Sequence, residues 1–128
     1  MRFLIFLFYN FLLYPIFFLY ISLLSLFSKK IRDGYIGRFK TNSILNNYFN
    51  KNDINLNIYW LHCSSFGEYL QVDPVINILK KNQVDCTIIV SFFSPSGMNN
   101  VKNKNIDCKV YIPFDFYWSV NKAFNIVK

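Results

Sequence analysis

Residues 58–80 read IYWLHCSSFGEYLQVDPVINILK. The first six, Ile58 to Cys63, are apolar and β-favouring, and they stop at Ser64-Ser65. A run of that length bounded by a turn predicts a buried strand. Beyond the turn the spacing changes. Val72, Val75, Ile76 and Leu79 fall on one face of a helix that extends from Tyr69 to Asn82. Pro74 denies a hydrogen bond to the carbonyl of Leu70, so this helix is expected to kink, or to restart with Asp73 as its cap.

The same pattern continues downstream. CTIIVSFF (Cys86–Phe93) predicts a second buried strand, SPSG (Ser94–Gly97) a turn leading into a short helix, and CKVYIP (Cys108–Pro113) a third strand. Val120, Phe124 and Val127 then share one face of a last helix over 118–127. Strands alternating with helices predict an α/β fold with a parallel sheet covered by helices, and near-continuous apolar strands fit burial on both faces. In such sheets ligands bind at the carboxyl ends of the strands. Three loops therefore carry the functional expectation: Ser64–Glu68, Ser94–Gly97 and Phe114–Asp115.

Upstream, the composition shifts. The chain is 53% hydrophobic with 16% charged residues, too apolar for an ordinary soluble domain. The excess lies in residues 3–27, which carry no charge and are dense in Phe, Leu, Ile and Tyr. As a helix this segment reaches about 37 Å at ~1.5 Å per residue, against a hydrocarbon core of ~30 Å. It is longer than the apolar core of a signal peptide and no small-residue cleavage site follows, so it is expected to be an anchor. Either it spans the bilayer or it lies as a kinked hairpin in one leaflet, with Pro15 as the kink. Lys29, Lys30, Arg32, Arg38 and Lys40 follow it, which places the remainder in the cytoplasm by the positive-inside bias. The same cations lie where anionic lipid headgroups of the inner membrane would be.

Residues 29–57 read as a basic juxtamembrane connector with at most short helical pieces, and Asp33-Gly34 and Gly37 read as turn residues. The chain therefore divides into an anchor (1–28), the connector (29–57) and an α/β domain (58–128). The net charge of +7 is partly a membrane-surface feature. A nucleic-acid partner is not expected, because the aromatics concentrate in the apolar segment and do not interleave with basic residues as stacking platforms would. Cys63, Cys86 and Cys108 are widely spaced, with no Cys-x-x-Cys pair, and read as buried free thiols. With a single histidine the pattern asks for no metal and no other cofactor.

Each loop has a structural and a chemical reading. Ser65 and Glu68 have capping-box spacing, in which Ser65 accepts from the Glu68 amide and Glu68 reaches back to the Ser65 amide. Glu68 is equally placed as a general base at a strand-to-helix turn, with Gly67 letting backbone approach a substrate. A cap needs the carboxylate turned inward, and a base needs it facing the cleft. Ser94, Ser96 and Gly97 are either turn chemistry, with Gly97 in an unusual dihedral, or a polar nest for a phosphate or sugar hydroxyl. Asp115 is most simply the cap of the last helix. His62, inside a strand, reads as a satisfied core residue.

WLHCSSFGEYLQVDPVI, IIVSFFSPSGM and VYIPFD stand in the order and spacing of the lipid A Kdo transferases, the 3-deoxy-D-manno-octulosonic acid transferases of Gram-negative bacteria. The apolar segment with KKIRDGYIGRFK resembles the amino end of that family, and the HC-S-GE and FFSPSG wording is most similar to its Bacteroidetes branch. The resemblance covers nearly the whole chain. It implies the amino-terminal, Rossmann-like part of a GT-B glycosyltransferase that moves Kdo from CMP-Kdo to a lipid A precursor at the cytoplasmic face of the inner membrane. It also implies that Glu68 is the base, with Ser65 and Gly67 beside it and Ser94, Ser96 and Gly97 in the second substrate-facing loop. These 128 residues would correspond to about the first third of such an enzyme. The CMP-Kdo site is expected on a carboxyl-terminal domain outside them, and the chain alone is expected to be inactive. A membrane-tethered, non-catalytic interaction module, or a remnant of the enzyme that keeps the βαβ scaffold, is the alternative.

Overall fold

The computed structural model describes residues 1–52, 57–83 and 85–128. Three strands, β1 (Asn57–Cys63), β2 (Cys86–Phe92) and β3 (Cys108–Tyr111), form one parallel sheet in the order β1-β2-β3. Tyr59, Leu61 and Cys63 register with Ile88, Val90 and Phe92, and Ile89 and Ser91 register with Cys108 and Val110. Paired residues in a parallel ladder share a face, so the alternation sorts the sheet into two cores. One holds Cys63, Ile88, Val90 and Phe92 against Tyr69 and Ile76 of α4 (Phe66–Asn82) and Val101 after α5 (Pro95–Asn100). The other holds Ile89, Cys108 and Val110 against Leu45 of α3 (Lys29–Lys51) and Ala123 of α6 (Tyr117–Val127). All seven residues of β2 are buried, as a central strand requires, whereas β1 at the sheet edge is half-exposed. This is the expected α/β, Rossmann-like sheet, preceded by an apolar helix.

That first helix runs from Arg2 to Phe27 and is long and apolar enough to cross a membrane. Pro15 does not end it. The chain widens into a π-helical turn at Tyr9–Leu13, between α1 (Arg2–Phe8) and α2 (Tyr14–Phe27), and Pro15 falls at the start of the regular segment that follows. Wide turns of this kind absorb a missing backbone donor without breaking the helix.

Residues 29–51 differ from expectation. In place of a connector with short helical pieces there is one helix of 23 residues, capped by Ser28, whose Oγ accepts from the Ile31 amide at 3.5 Å. Gly34 and Gly37 are helical, and they are not turn residues. A Cβ at Gly37 would overlap the Tyr111 ring. The glycine is a notch that lets α3 close on β3, and that packing outweighs the helix-propensity cost. Thr41, fully buried four residues on, donates its Oγ1 hydrogen bond to the Tyr111 carbonyl at 2.8 Å. The end of the connector, residues 53–56, lies outside the described residues.

Helix α4 is continuous through Pro74. Asp73 does not cap a restarted helix. Its carboxylate instead accepts from the Tyr69 hydroxyl, from Asn77 at 3.2 Å and from Asn103 at 2.7 Å, tying α4 to the loop before β3.

Candidate functional site

The strand ends and the loops after them converge at one end of the sheet. The Phe93 amide donates to the Cys63 carbonyl at 3.3 Å and the Ser94 amide to the Ser64 carbonyl at 3.0 Å, so the loops after β1 and β2 are stitched side by side. The Ile112 amide donates to the Phe92 carbonyl at 2.9 Å and brings in the loop after β3.

Glu68 sits in the first turn of α4, exposed at this edge. Ser65 is the N-cap, and its Oγ accepts from the Glu68 amide at 3.4 Å. The carboxylate returns to the backbone one residue further back than the capping-box spacing suggests, with Oε2 accepting from the Ser64 amide at 2.7 Å. Only this oxygen has a hydrogen-bond partner among the described residues. The cap and the base therefore do not compete for the same atom. The cap fixes the carboxylate through Oε2 and leaves Oε1 to solvent. Gly67 has no close neighbour, since a Cβ there would meet only the Ser65 Oγ, at 3.8 Å. That side of the turn is open.

In the second loop the Ser94 and Ser96 hydroxyls hydrogen-bond to each other at 2.6 Å. Ser94 is the N-cap of α5 without capping through its side chain. Gly97 is buried, its φ is not positive, and a Cβ there would overlap the Phe92 ring. The residue is glycine because helix and strand approach closely there, and the unusual dihedral expected of it is not adopted.

The third loop also departs from expectation. Asp115 does not cap α6, whose N-cap is Phe116. The Asp115 carboxylate accepts from the Tyr9 hydroxyl at 2.5 Å, and its amide donates to the Tyr14 hydroxyl at 2.6 Å. Asn10 accepts from the Tyr117 amide at 3.1 Å, and the Phe6 and Tyr117 rings meet edge-on at 5.3 Å. Further along, Ser22 Oγ donates to the Tyr35 hydroxyl at 2.8 Å and Phe18 packs on Phe114 at 5.1 Å. The apolar helix is thus docked from Phe6 to Ser22 along α3, the loop after β3 and the start of α6. Its opposite face, with Leu4, Phe11, Leu19, Leu23 and Phe27, stays exposed. The signal for this docking was present in the sequence as Asn10, Ser22 and Ser25, polar residues within a mostly apolar segment, together with Tyr14.

Between helix and sheet lies a cavity of about 800 Å³, lined by Leu13, Phe17, Trp60, Phe93, Val120 and Phe124. His62 is not a core residue. It is exposed and lines this cavity, its Nδ1 3.1 Å from the Ser91 Oγ, which also accepts from Trp60 Nε1 at 2.9 Å. Arg38, read from the sequence as one of the cations facing lipid headgroups, also reaches the cavity. The cysteines are free and buried. Burial pushes the Cys108 thiol up to about 11, which leaves it protonated and inert as a nucleophile. Among the described residues no three His, Cys, Asp or Glu side chains gather as a metal site would require.

A family model described as 3-deoxy-D-manno-octulosonic-acid transferase (kdotransferase) matches residues 35–128. That span takes in β1 to α6 and all three loops. No curated protein and no solved structure matches the chain.

Proposed function

The chain belongs to the 3-deoxy-D-manno-octulosonic-acid transferase family, and from that premise we propose that it is the acceptor-side, amino-terminal part of a glycosyltransferase that moves Kdo from CMP-Kdo to a lipid A precursor. The observation that carries the reading is the placement of Glu68, exposed at the carboxyl edge of a parallel sheet, with one carboxylate oxygen pinned by the Ser64 amide and the other without a partner among the described residues.

In this mechanism Glu68 Oε1 takes the proton from a hydroxyl of the acceptor as that oxygen bonds to the anomeric carbon of Kdo. The bond from that carbon to the phosphate oxygen of CMP breaks, and CMP leaves with the electron pair. Attack opposite the leaving group inverts the centre. General-base assistance of this kind contributes about 10²–10⁴-fold. Gly67 leaves room for the acceptor beside the base, Ser65 holds the turn, and Ser94 and Ser96 offer hydroxyls to the sugar or its phosphate, with Gly97 setting how deeply that loop sits. A separate domain supplies the CMP-Kdo site, so residues 1–128 alone do not turn over.

The protein works at the cytoplasmic face of the inner membrane. The docked helix supports an in-plane arrangement over a crossing one. A transbilayer orientation would drag Asp115, Tyr117 and Tyr35, all hydrogen-bonded to the helix, toward hydrocarbon, where polar groups are costly. Lying in one leaflet, the helix keeps its exposed apolar face in lipid and the sheet edge at the headgroups.

The test is turnover. The segment joined to a matching donor domain should transfer Kdo from CMP-Kdo to lipid A precursor, and purified 1–128 should not. A joined enzyme that folds and binds CMP-Kdo yet never glycosylates the precursor would overturn the assignment in favour of a non-catalytic tethered module.

A further inference from the structure

Trp60, Ser91 and His62 form a directed chain of hydrogen bonds on the face of the sheet covered by α3 and α6. His62 and Ser91 are partners in the register of β1 on β2, and Trp60 lies two residues back on the same face. The Trp60 indole donates its Nε1 hydrogen to Ser91 Oγ at 2.9 Å. An indole nitrogen can only donate, so the serine oxygen is the acceptor in that contact. Ser91 is buried, and its own hydroxyl hydrogen needs an acceptor inside the protein. Two atoms are in reach, His62 Nδ1 at 3.1 Å and the Leu61 carbonyl at 3.5 Å. The second distance is long for a hydroxyl donor, so the hydrogen goes to Nδ1. With Nδ1 accepting, the neutral imidazole carries its proton on Nε2.

That tautomer decides what the side chain can do. The basic nitrogen of the ring is spent on Ser91, so neutral His62 presents no lone pair to a ligand and cannot compete with Glu68 as a base. It presents an N–H. Nε2 has no hydrogen-bond partner among the described residues, and the residue is exposed and lines the cavity of about 800 Å³. Other uncharged polar groups that line the cavity are engaged within the protein. Trp60 donates to Ser91, Tyr9 donates to Asp115, and the Tyr14 hydroxyl accepts from the Asp115 amide.

The chemistry of the partner follows from the donor. A neutral N–H among aromatic and aliphatic side chains matches an uncharged oxygen, a hydroxyl or an ester or amide carbonyl, whereas an anionic oxygen is better served by a charged donor. Such a group also discriminates, because a ligand that displaces water and lacks the oxygen leaves the N–H unpaired.

We infer that His62 is a substrate-binding residue, held as the Nε2–H tautomer by the chain from Trp60 through Ser91, and that it donates to an uncharged oxygen of the acceptor and so orients it. The inference rests on the acceptor-side reading for the identity of the substrate, and the tautomer does not depend on that reading.

His62 is the one histidine of the chain, so its ring nitrogens are observed without overlap. Long-range proton–nitrogen NMR of the full 128-residue chain in detergent micelles, with the imidazole neutral, should show Nε2 protonated and Nδ1 bare. Ser91→Ala should turn this single form into a mixture of the two tautomers. An Nδ1–H ring in the unsubstituted chain would overturn the inference whatever the activity, and a single tautomer retained in Ser91→Ala would overturn the part given to Ser91. In the segment joined to a donor domain, His62→Leu should raise the KM for lipid A precursor about tenfold, the scale of one neutral hydrogen bond lost to a substrate, with kcat little changed. His62→Gln places an amide nitrogen near the Nε2 position and should recover most of that loss, which a merely structural role would not allow. His62→Asn, with its nitrogen near the Nδ1 position, should not recover it. An unchanged KM in His62→Leu, or a fall in kcat that glutamine fails to rescue, would overturn the inference. A joined enzyme that transfers nothing even with His62 in place would count against the acceptor-side reading, and the tautomer read on the 128-residue chain would still decide the chain of donors separately.

Discussion

The Glu68 carboxylate is held by the amide of Ser64, Oε2 to N at 2.7 Å, and its second oxygen has no partner among the described residues. A side chain that closes a helix end is in this way also aimed. The cap restricts its rotamers without using up its basic lone pairs, an economical form of preorganisation.

That geometry separates chemistry from folding. In an enzyme carrying this segment together with a donor domain, Glu68→Gln should keep the contact to Ser64, since an amide oxygen accepts as a carboxylate does. It should lower kcat by about 10²-fold or more and leave thermal stability close to unchanged. Ser65→Ala removes the cap and keeps the carboxylate, and should cost on the order of 1 kcal/mol of stability with a much smaller effect on rate. Near-normal turnover by Glu68→Gln would falsify its role as base.

The glycines should divide by what faces them. Gly67→Ala meets nothing closer than the Ser65 Oγ at 3.8 Å, at a residue without positive φ, so urea unfolding should show stability unchanged or raised by up to ~1 kcal/mol. Any loss of transfer activity in that variant then reports acceptor crowding. Gly97→Ala and Gly37→Ala drive a methyl into the Phe92 and Tyr111 rings and should each cost about 1–3 kcal/mol. Equal stability across the three would contradict the packing described for α3 and α5.

Topology is open to reporter fusion at both ends. With the helix lying in one leaflet, fusions before Met1 and after Lys128 should both be active only in the cytoplasmic format. A periplasmic reporter before Met1 together with a cytoplasmic one after Lys128 would establish a crossing helix, and the contacts of Tyr9 and Tyr14 with the loop after β3 and of Asn10 with the start of α6 would then have to break in the membrane.

The Tyr69–Asp73 contact should mark both ends of the pH–stability curve. Burial and the hydrogen bond to Asp73 push the Tyr69 phenol up from 10.0 to about 12, so its contribution is complete below about 10 and is lost as pH rises toward 12. The same hydrogen bond, with those from Asn103 and Asn77, holds the Asp73 carboxyl below its ordinary 3.8, so its contribution is present above that value and is lost as pH falls through the depressed one. Tyr69→Phe should flatten both limbs in urea unfolding measured across pH, whereas a variant that retains both would place the titration elsewhere.

What the sequence determined by itself was the local order. Short apolar runs bounded by turns, with period-3.6 spacing between them, put β1, α4, β2, β3 and α6 where they are, because a strand covered on both faces reads as a continuous apolar run and a helix covered on one face repeats its apolar residues at its own period. The turn at Ser65-Phe66-Gly67-Glu68 was legible for the same reason, since a cap lies within three residues of the group it serves. Residues 29–51 were misread because Gly34 and Gly37 argue against a helix until Tyr111, 74 residues from Gly37, is seen to need the space. Only the tertiary structure decided that Asp115 serves Tyr9 and Tyr14, that Glu68 spends one oxygen on Ser64, and that Arg38 lines two cavities. Each depends on partners brought together across long stretches of chain or on which atom of a group is engaged, and spacing along the sequence carries neither.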